Sequence, residues 1–398
     1  MPGCGSAAAG GRGPAAERVF AYGAAAGLVA DRLLGDPRRG HPVAAFGRAA
    51  GAVERVLWRD HRGWGALHTA VCAGGAVTVA ALAARGVRGV RGVRGIRGVR
   101  GVRGIRGIRG VRGVREVGGA RDLWGVRDVR VARGDTAAAP APPASPGALA
   151  PVALTAAATW AVVGGTSLGR EARAIGEALA AGDLGLARQR LPHLCGRDPQ
   201  ALDGGQIARA VVESVAENTS DAVVGALVWG AVAGVPGLVG FRAVNTLDAM
   251  VGHLSPRHRR FGWASARLDD LAGWPGARLT AALAVVAGGD PRGALRALRA
   301  DAHRHPSPNA GPVEAAFAGA LGVRLGGTLA YAGRVEHRPV LNGEGRPVEV
   351  PDIERAVRLS GRVSALALMT CVAGRFAYGA LRHAAERRTT SAGKGRGA

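Results

Sequence analysis

The chain has 398 residues, room for two or three average domains or one large helical assembly. A hydrophobic content of 47%, an aromatic content of 4% and a mean hydropathy of +0.09 lean toward the membrane class. The net charge of +24 is carried by arginine, because Lys394 is the only lysine; a P-loop lysine and a Schiff-base lysine in the folded body are thereby excluded.

Residues 1–16 are rich in Gly, Ala and Pro and read as disordered. N-terminal membrane helices are expected over 17–84, with Val19–Leu34 and Trp64–Ala84 approaching bilayer length. They are rich in Ala and Gly, which suits close helix packing. Asp36-Pro37 breaks the first helix, and His41-Pro42 opens the next. No secretory signal is expected, since Asp31 and Arg32 interrupt the apolar stretch. Gly86–Arg115 repeats Gly-Val/Ile-Arg and holds ten arginines. Glycine at every third position costs about 1 kcal/mol each time in a helix, so 85–147 reads as a low-complexity insertion ending in a Pro/Ala linker. A solvated loop touching lipid headgroups is favoured there over an RNA-binding tract.

A helical core is expected over 148–385, with a disordered tail over 386–398. Ala148–Leu168, Ala222–Phe241 and Val363–Leu381 approach bilayer length. Asp290-Pro291 starts a helix reaching about Arg304, a small β-hairpin is expected near 328–350, and a last helix pair near Ile353–Leu381. The fold class is therefore mainly α, a multi-pass helical membrane protein. Cys4, Cys72, Cys195 and Cys371 form no CxxC and no disulfide framework, which fits a reducing compartment.

The polar residues gather in short clusters. Glu213, Glu217 and Asp221 are spaced to share a helix face, where like charges repel unless something compensates them. Arg209 can neutralise one, and a hard cation such as Mg2+ the others. Arg242, Asn245 and Asp248 share another face. A straight span over 222–241 would hold these clusters about 30 Å apart. "AGVPG" at 233–237 instead predicts a broken helical hairpin that folds them together. Arg267, Asp269 and Asp270 follow, of which at most one aspartate faces a shared site. Arg304, His305, Ser307 and Asn309 lie on a proline-bounded turn suited to phosphate. A metal pair of His303 and His305 is disfavoured, because i, i+2 positions on a helix face apart. His41 is either a site residue or a satisfied turn histidine.

"DRLLGDPRRGHPV", "ESVAENTSDAVV", "FRAVNTLDAMVGH", "FGWASARLDDLAGWPGARLT" and "HPSPNAGPVEAAFAGALGVRLGG", in this order, resemble the adenosylcobinamide-phosphate synthase family of cobalamin biosynthesis, the CobD/CbiB type. The resemblance covers roughly 18–84 and 148–380; the arginine repeat and the tails have no counterpart. It implies a membrane-bound acid-amine ligase that joins aminopropanol, or its O-phosphate, to the free carboxylate of adenosylcobyric acid with ATP as co-substrate. Such chemistry needs an activated carboxylate, Mg2+ to gather phosphates, and donors for developing negative charge. Glu213, Glu217 and Asp221 would supply the metal ligands or the base, with Asn218 beside them. Asn245, Asp248, Asp269 and Asp270 would orient substrate. Arg267, Arg304, His305, Ser307, Asn309 and His41 would complete substrate and phosphate binding. The partners implied are these small molecules and the lipid bilayer, not nucleic acid. A transporter or corrinoid-binding component without covalent chemistry is the rival reading. The positive-inside rule would put the arginine repeat in the cytoplasm, but the need for ATP places the polar clusters there.

Overall fold

The computed structural model describes residues 13–36, 40–93, 146–196, 199–253, 255–331 and 334–394. The architecture is mainly helical, with one two-stranded antiparallel sheet. The helices are α1 (Gly13–Leu34), α2 (Pro42–Leu57), α3 (Arg62–Val93), α4 (Pro146–Val162), α5 (Gly165–Ala180), α6 (Leu184–Arg190), α7 (Gly204–Asn218), α8 (Gly225–Ala233), α9 (Val235–Leu247), α10 (Trp263–Ala287), α11 (Pro291–Asp301), α12 (Ala310–Leu321) and α13 (Pro351–Lys394). Strands β1 (Leu325–Tyr331) and β2 (Arg334–Leu341) form the expected hairpin.

Among the described residues, three helical stretches are long and apolar enough to cross a bilayer: Arg62–Arg88, Ala148–Ala180 and Pro351–Arg388. Small residues set their packing. A Cβ on Gly23 would collide with Thr155, and one on Gly27 with Thr159, so α1 and α4 run parallel through a small-xxx-small contact. The core is correspondingly Ala- and Gly-rich, with Phe20, Leu227, Leu238, Leu247 and Phe317 among its few large, fully buried side chains.

The interrupted apolar run folds as a hairpin. Gly234 takes φ 68° and ψ −145°, a conformation open to glycine, and Pro236 sits in the first turn of α9. The two arms then run antiparallel. A Cβ on Gly225 would strike Phe241, one on Gly230 would strike Leu238, and one on Gly237 the Trp229 carbonyl. Polar residues before α8 and after α9 are thereby brought to the same end. That end lies beside α2 and the start of α3: Met250 is next to Gly47 and Gly51, His68 reaches the Ala50 carbonyl, and Thr69 bonds Ser265. Further along α3, Val77 meets Gly240 of the hairpin.

Three differences from the sequence expectation have physical causes. α3 continues through Arg85 and Arg88 to Val93 instead of stopping before the repeat. Once a helix exists, each further residue adds a hydrogen bond without a new nucleation penalty, which offsets the glycines for a few turns. The rest of the repeat, through Arg115, lies outside the described residues. The last helix pair is one helix of 44 residues, α13. It runs to Lys394, past the expected start of the tail, through the Arg382–Glu386 pair at i, i+4. At the other end, α1 begins at Gly13, inside the segment expected to be disordered.

Candidate functional site

The site is built where two helices are locally underwound. α7 passes into a π-helical turn over Thr219–Val224, and α9 into another over Asp248–Gly252. Such insertions recur at functional sites because one extra residue per turn re-aims the side chains that follow. Thr219 holds the first turn, bonding the Val215 carbonyl at 2.6 Å and Ser360 Oγ of α13 at 2.7 Å. Asp221 lies within the first turn, and Asp248 opens the second.

These two aspartates meet Asp269 of α10 and Glu217 of α7. Asp221 is held well above the usual carboxylate range, first by burial, then by Glu217 and Asp269, with Arg242 opposing and Asp248 adding a little more. Burial, then Asp248 and Asp270, push Asp269 to about 7, against the Asn245 hydrogen bond, and burial, Asp270 and Glu217 push Asp248 to about 6. Arg242 Nη1 donates to Asn245 Oδ1 at 3.3 Å, and Asn245 Nδ2 donates to Asp269 Oδ1 at 3.4 Å. One arginine and one amide thus stand among four mutually repelling carboxylates.

Two residues that the sequence reading used only as a helix break (Asp36) and as a charge interrupting an apolar stretch (Asp31) belong to the same end of the fold. Asp36 acts electrostatically on Arg242, and its Oδ1 lies 3.6 Å from His41 Nε2. Asp31, only 3% exposed, accepts from the Thr166 amide at 3.0 Å and from Thr166 Oγ1 at 2.8 Å at the start of α5. The signal was the acid spacing within "DRLLGDPRRGHP", which was read as a break. His41 also caps α2, accepting from the Val43 amide at 3.2 Å.

Other expected residues are placed differently. Glu213 is 2% exposed and turned toward the β-hairpin, where it accepts from the Gly326 amide at 2.8 Å. The register shift between Leu325 and Gly327 releases that amide from the ladder. The expected three-carboxylate stripe therefore divides: Glu217 and Asp221 join the cluster, and Glu213 anchors the hairpin. Asn218 donates back to the Ser214 carbonyl at 2.9 Å. Asn309 bridges to α10, donating to the Asp270 carbonyl at 2.9 Å and accepting from Arg278 at 3.3 Å. Ser307 Oγ accepts from the Asn309 and Ala310 amides at 3.3 and 3.1 Å, using amides that an anion would otherwise take. His305 Nδ1 accepts from the Ser307 amide at 3.0 Å, and its Nε2 lies 4.0 Å from the buried Glu314. Arg304 and Arg267 are exposed, paired with Asp301 at 3.1 Å and Asp270 at 3.6 Å.

Among the described residues, no three His, Cys, Asp or Glu side chains close a metal sphere by themselves. The donor chemistry still suits a hard cation, which takes one or two carboxylates and fills its other positions with water and substrate phosphate.

Comparison with known proteins decides the family. The family model described as "CobD/Cbib protein" matches residues 131–360. "Cobalamin biosynthesis protein CobD" of Mycobacterium tuberculosis (strain CDC 1551 / Oshkosh) is 45% identical over 356 residues, covering 88% of this chain and 95% of that protein. The chain belongs to the CobD/CbiB family. It is therefore a protein of cobalamin biosynthesis. The CobD protein of Chromobacterium violaceum is 38% identical over 335 residues, covering 84% of this chain and 90% of that one. The CobD protein of Rhodobacter capsulatus is 47% identical over 215 residues, 54% of this chain and 68% of that protein. No solved structure matches this CobD/CbiB chain.

Proposed function

We propose that this CobD/CbiB protein is an acid-amine ligase that attaches aminopropanol, or its O-phosphate, to the free carboxylate of adenosylcobyric acid at the expense of ATP. The observation that carries the reading is the convergence of Glu217, Asp221, Asp248 and Asp269, with Arg242 and Asn245, at one end of the fold. An incoming amine arrives as an ammonium and must lose a proton before it attacks. A carboxylate near neutrality is matched to that transfer, and Asp269 at about 7 is the group so placed. Asp248 holds the ammonium, while Asn245 fixes the orientation of Asp269. Attack of the neutral amine on the activated carbonyl forms the C–N bond, breaks the acyl C–O bond to expel phosphate or AMP, and releases the amine's second proton to solvent.

Glu217 and Asp221 would hold Mg2+, whose chemistry is to gather phosphate oxygens and offset their charge. Exposed Arg267 and Arg304 are the cations available for phosphate in a chain without a folded-body lysine. The site end of the fold then faces the cytoplasm, where ATP is found. Protein reconstituted in nanodiscs with ATP, Mg2+, adenosylcobyric acid and either amine tests this, with the corrinoid product read by mass spectrometry. Amide product is expected from the wild type, and at least about a hundredfold less from Glu217→Gln and Asp221→Asn. Corrinoid binding without product in every condition would leave a carrier, not a ligase.

A further inference from the structure

His253 and His258 stand outside the acidic cluster, in the turn that joins its second π-helical segment to α10. Their spacing in "HLSPRH" is His-x4-His, within the range used by zinc-binding histidine pairs. Backbone bonds close the turn. The Ser255 amide donates to the His253 carbonyl at 2.8 Å, and the His258 and Arg259 amides donate to the Ser255 carbonyl at 3.1 and 2.9 Å. His253 Nε2 is thereby brought to 3.3 Å from His258 Nδ1, with the ring centres 4.9 Å apart and the planes at 83°. Ser255 Oγ lies 3.3 Å from the same Nδ1.

The other edge of the His258 ring fixes its tautomer. Nε2 lies 3.0 Å from Glu54 Oε1, an atom that also accepts from Arg257 Nε and Nη2 at 3.3 Å each. A carboxylate held by a guanidinium is ionised and can only accept, so Nε2 carries the proton and Nδ1 presents its lone pair. Glu54 and His258 are largely buried, while His253 is exposed and leaves the Nδ1 side open to water. Both contacts to Nδ1 exceed the distance of about 2.9–3.0 Å that an N–H hydrogen bond prefers. A tetrahedral ion with bonds of about 2.0–2.1 Å instead holds neighbouring donor atoms about 3.3 Å apart. A carboxylate on the outer N–H is the usual support of a metal-bound histidine. We propose that His253 Nε2 and His258 Nδ1 form a binding site for a zinc-class divalent cation, completed by Ser255 Oγ and water, with Glu54 orienting His258 from behind. Imidazole donors favour Zn2+ and its late first-row neighbours over Mg2+, so this site is chemically distinct from the acidic cluster. The ion would staple the turn between the Asp248 segment and α10, and Glu54 would tie it to α2.

The test titrates Zn2+ into the full chain in nanodiscs against a chromophoric chelator, with Mg2+ in millimolar excess to occupy the carboxylates. The wild type should take up zinc saturably, and the X-ray absorption fine structure of the bound ion should show two imidazoles. Glu54→Gln should weaken zinc binding by about tenfold, and His253→Ala by more than that. His253→Ala removes an exposed side chain, so its thermal unfolding without zinc should match the wild type, which guards against a misfolded variant. No saturable uptake by the wild type, undiminished affinity in His253→Ala, or an absorption signature with fewer than two imidazoles would each overturn the proposal. Amide synthesis enters none of these readouts, so the ligase reading stands or falls separately.

Discussion

Two buried groups of carboxylates follow opposite electrostatic plans. At the start of α13, fully buried Asp352 is met by Arg346 at 2.7 and 2.8 Å, by Arg355 at 2.6 Å and by the Glu349 amide at 2.9 Å. Every charge placed there is matched by the chain itself. At the acidic cluster, Glu217, Asp221, Asp248 and Asp269 raise one another, and Arg242 is the cation that opposes them at Asp221. The first arrangement is complete without a ligand and serves to tie the segment after β2 to α13. The second is stabilised by a proton, an ammonium or a metal cation, which is what a site for amine and metal–phosphate chemistry requires.

The comparison can be broken most directly from its satisfied side. Asp352→Asn removes the charge-assisted bonds from two arginines that are themselves partly solvated and should destabilise the protein by about 2–3 kcal/mol, read by thermal unfolding in detergent. A loss below about 1 kcal/mol would show that the pairing is not structural. The opposite sign is expected at the cluster. Asp269 rises from 3.8 to about 7, so the folded chain binds more protons than the unfolded chain between those values. Its contribution is therefore full below about pH 4 and is lost as the pH climbs through 7. Asp269→Asn removes that repulsion and should raise stability at pH 8 by about 2 kcal/mol, with a smaller gain at pH 5. Ligase activity should fall in the same variant, and Mg2+ should stabilise wild type more than variant. Equal gains at both pH values would mean that Asp269 is not the group that titrates.

Much of this contrast is written locally in the sequence. "AGVPG" forces the break between α8 and α9, because positive-φ Gly234 ends one helix and Pro236, two residues on, is suited only to the first turn of the next, and the break brings Asp221 and Asp248 together. The β-hairpin and the α11 N-cap at Asp290, which accepts from the Gly293 amide at 2.8 Å, are short-range signals of the same kind. The division between Glu213 and Glu217 was not legible. It depends on a β-bulge more than a hundred residues away, whose freed Gly326 amide takes up Glu213. Asp36 was missed for a similar reason, since a residue that ends a helix is also free to lean on Arg242, and spacing does not distinguish the roles. The long α13 was misread as a pair because composition near its end resembles a tail, whereas helix propagation carries it on.

The smallest effect separates stability from binding at the rim. Arg267 is 79% exposed on its side chain and 3.6 Å from Asp270, an i, i+3 pair on the surface of α10. Exposed pairs of this kind contribute about 0.2–1 kcal/mol at most, because water screens them and the long side chain loses freedom. Arg267→Gln should therefore shift unfolding by about 0.5 kcal/mol or less. If the arginine holds phosphate, the same change should raise the KM for ATP severalfold while kcat stays within about twofold, since it removes binding common to ground and transition states. An unchanged KM would assign Arg267 to the solvated face of α10 and leave Arg304, 52% exposed beside Asp301, to carry the phosphate alone.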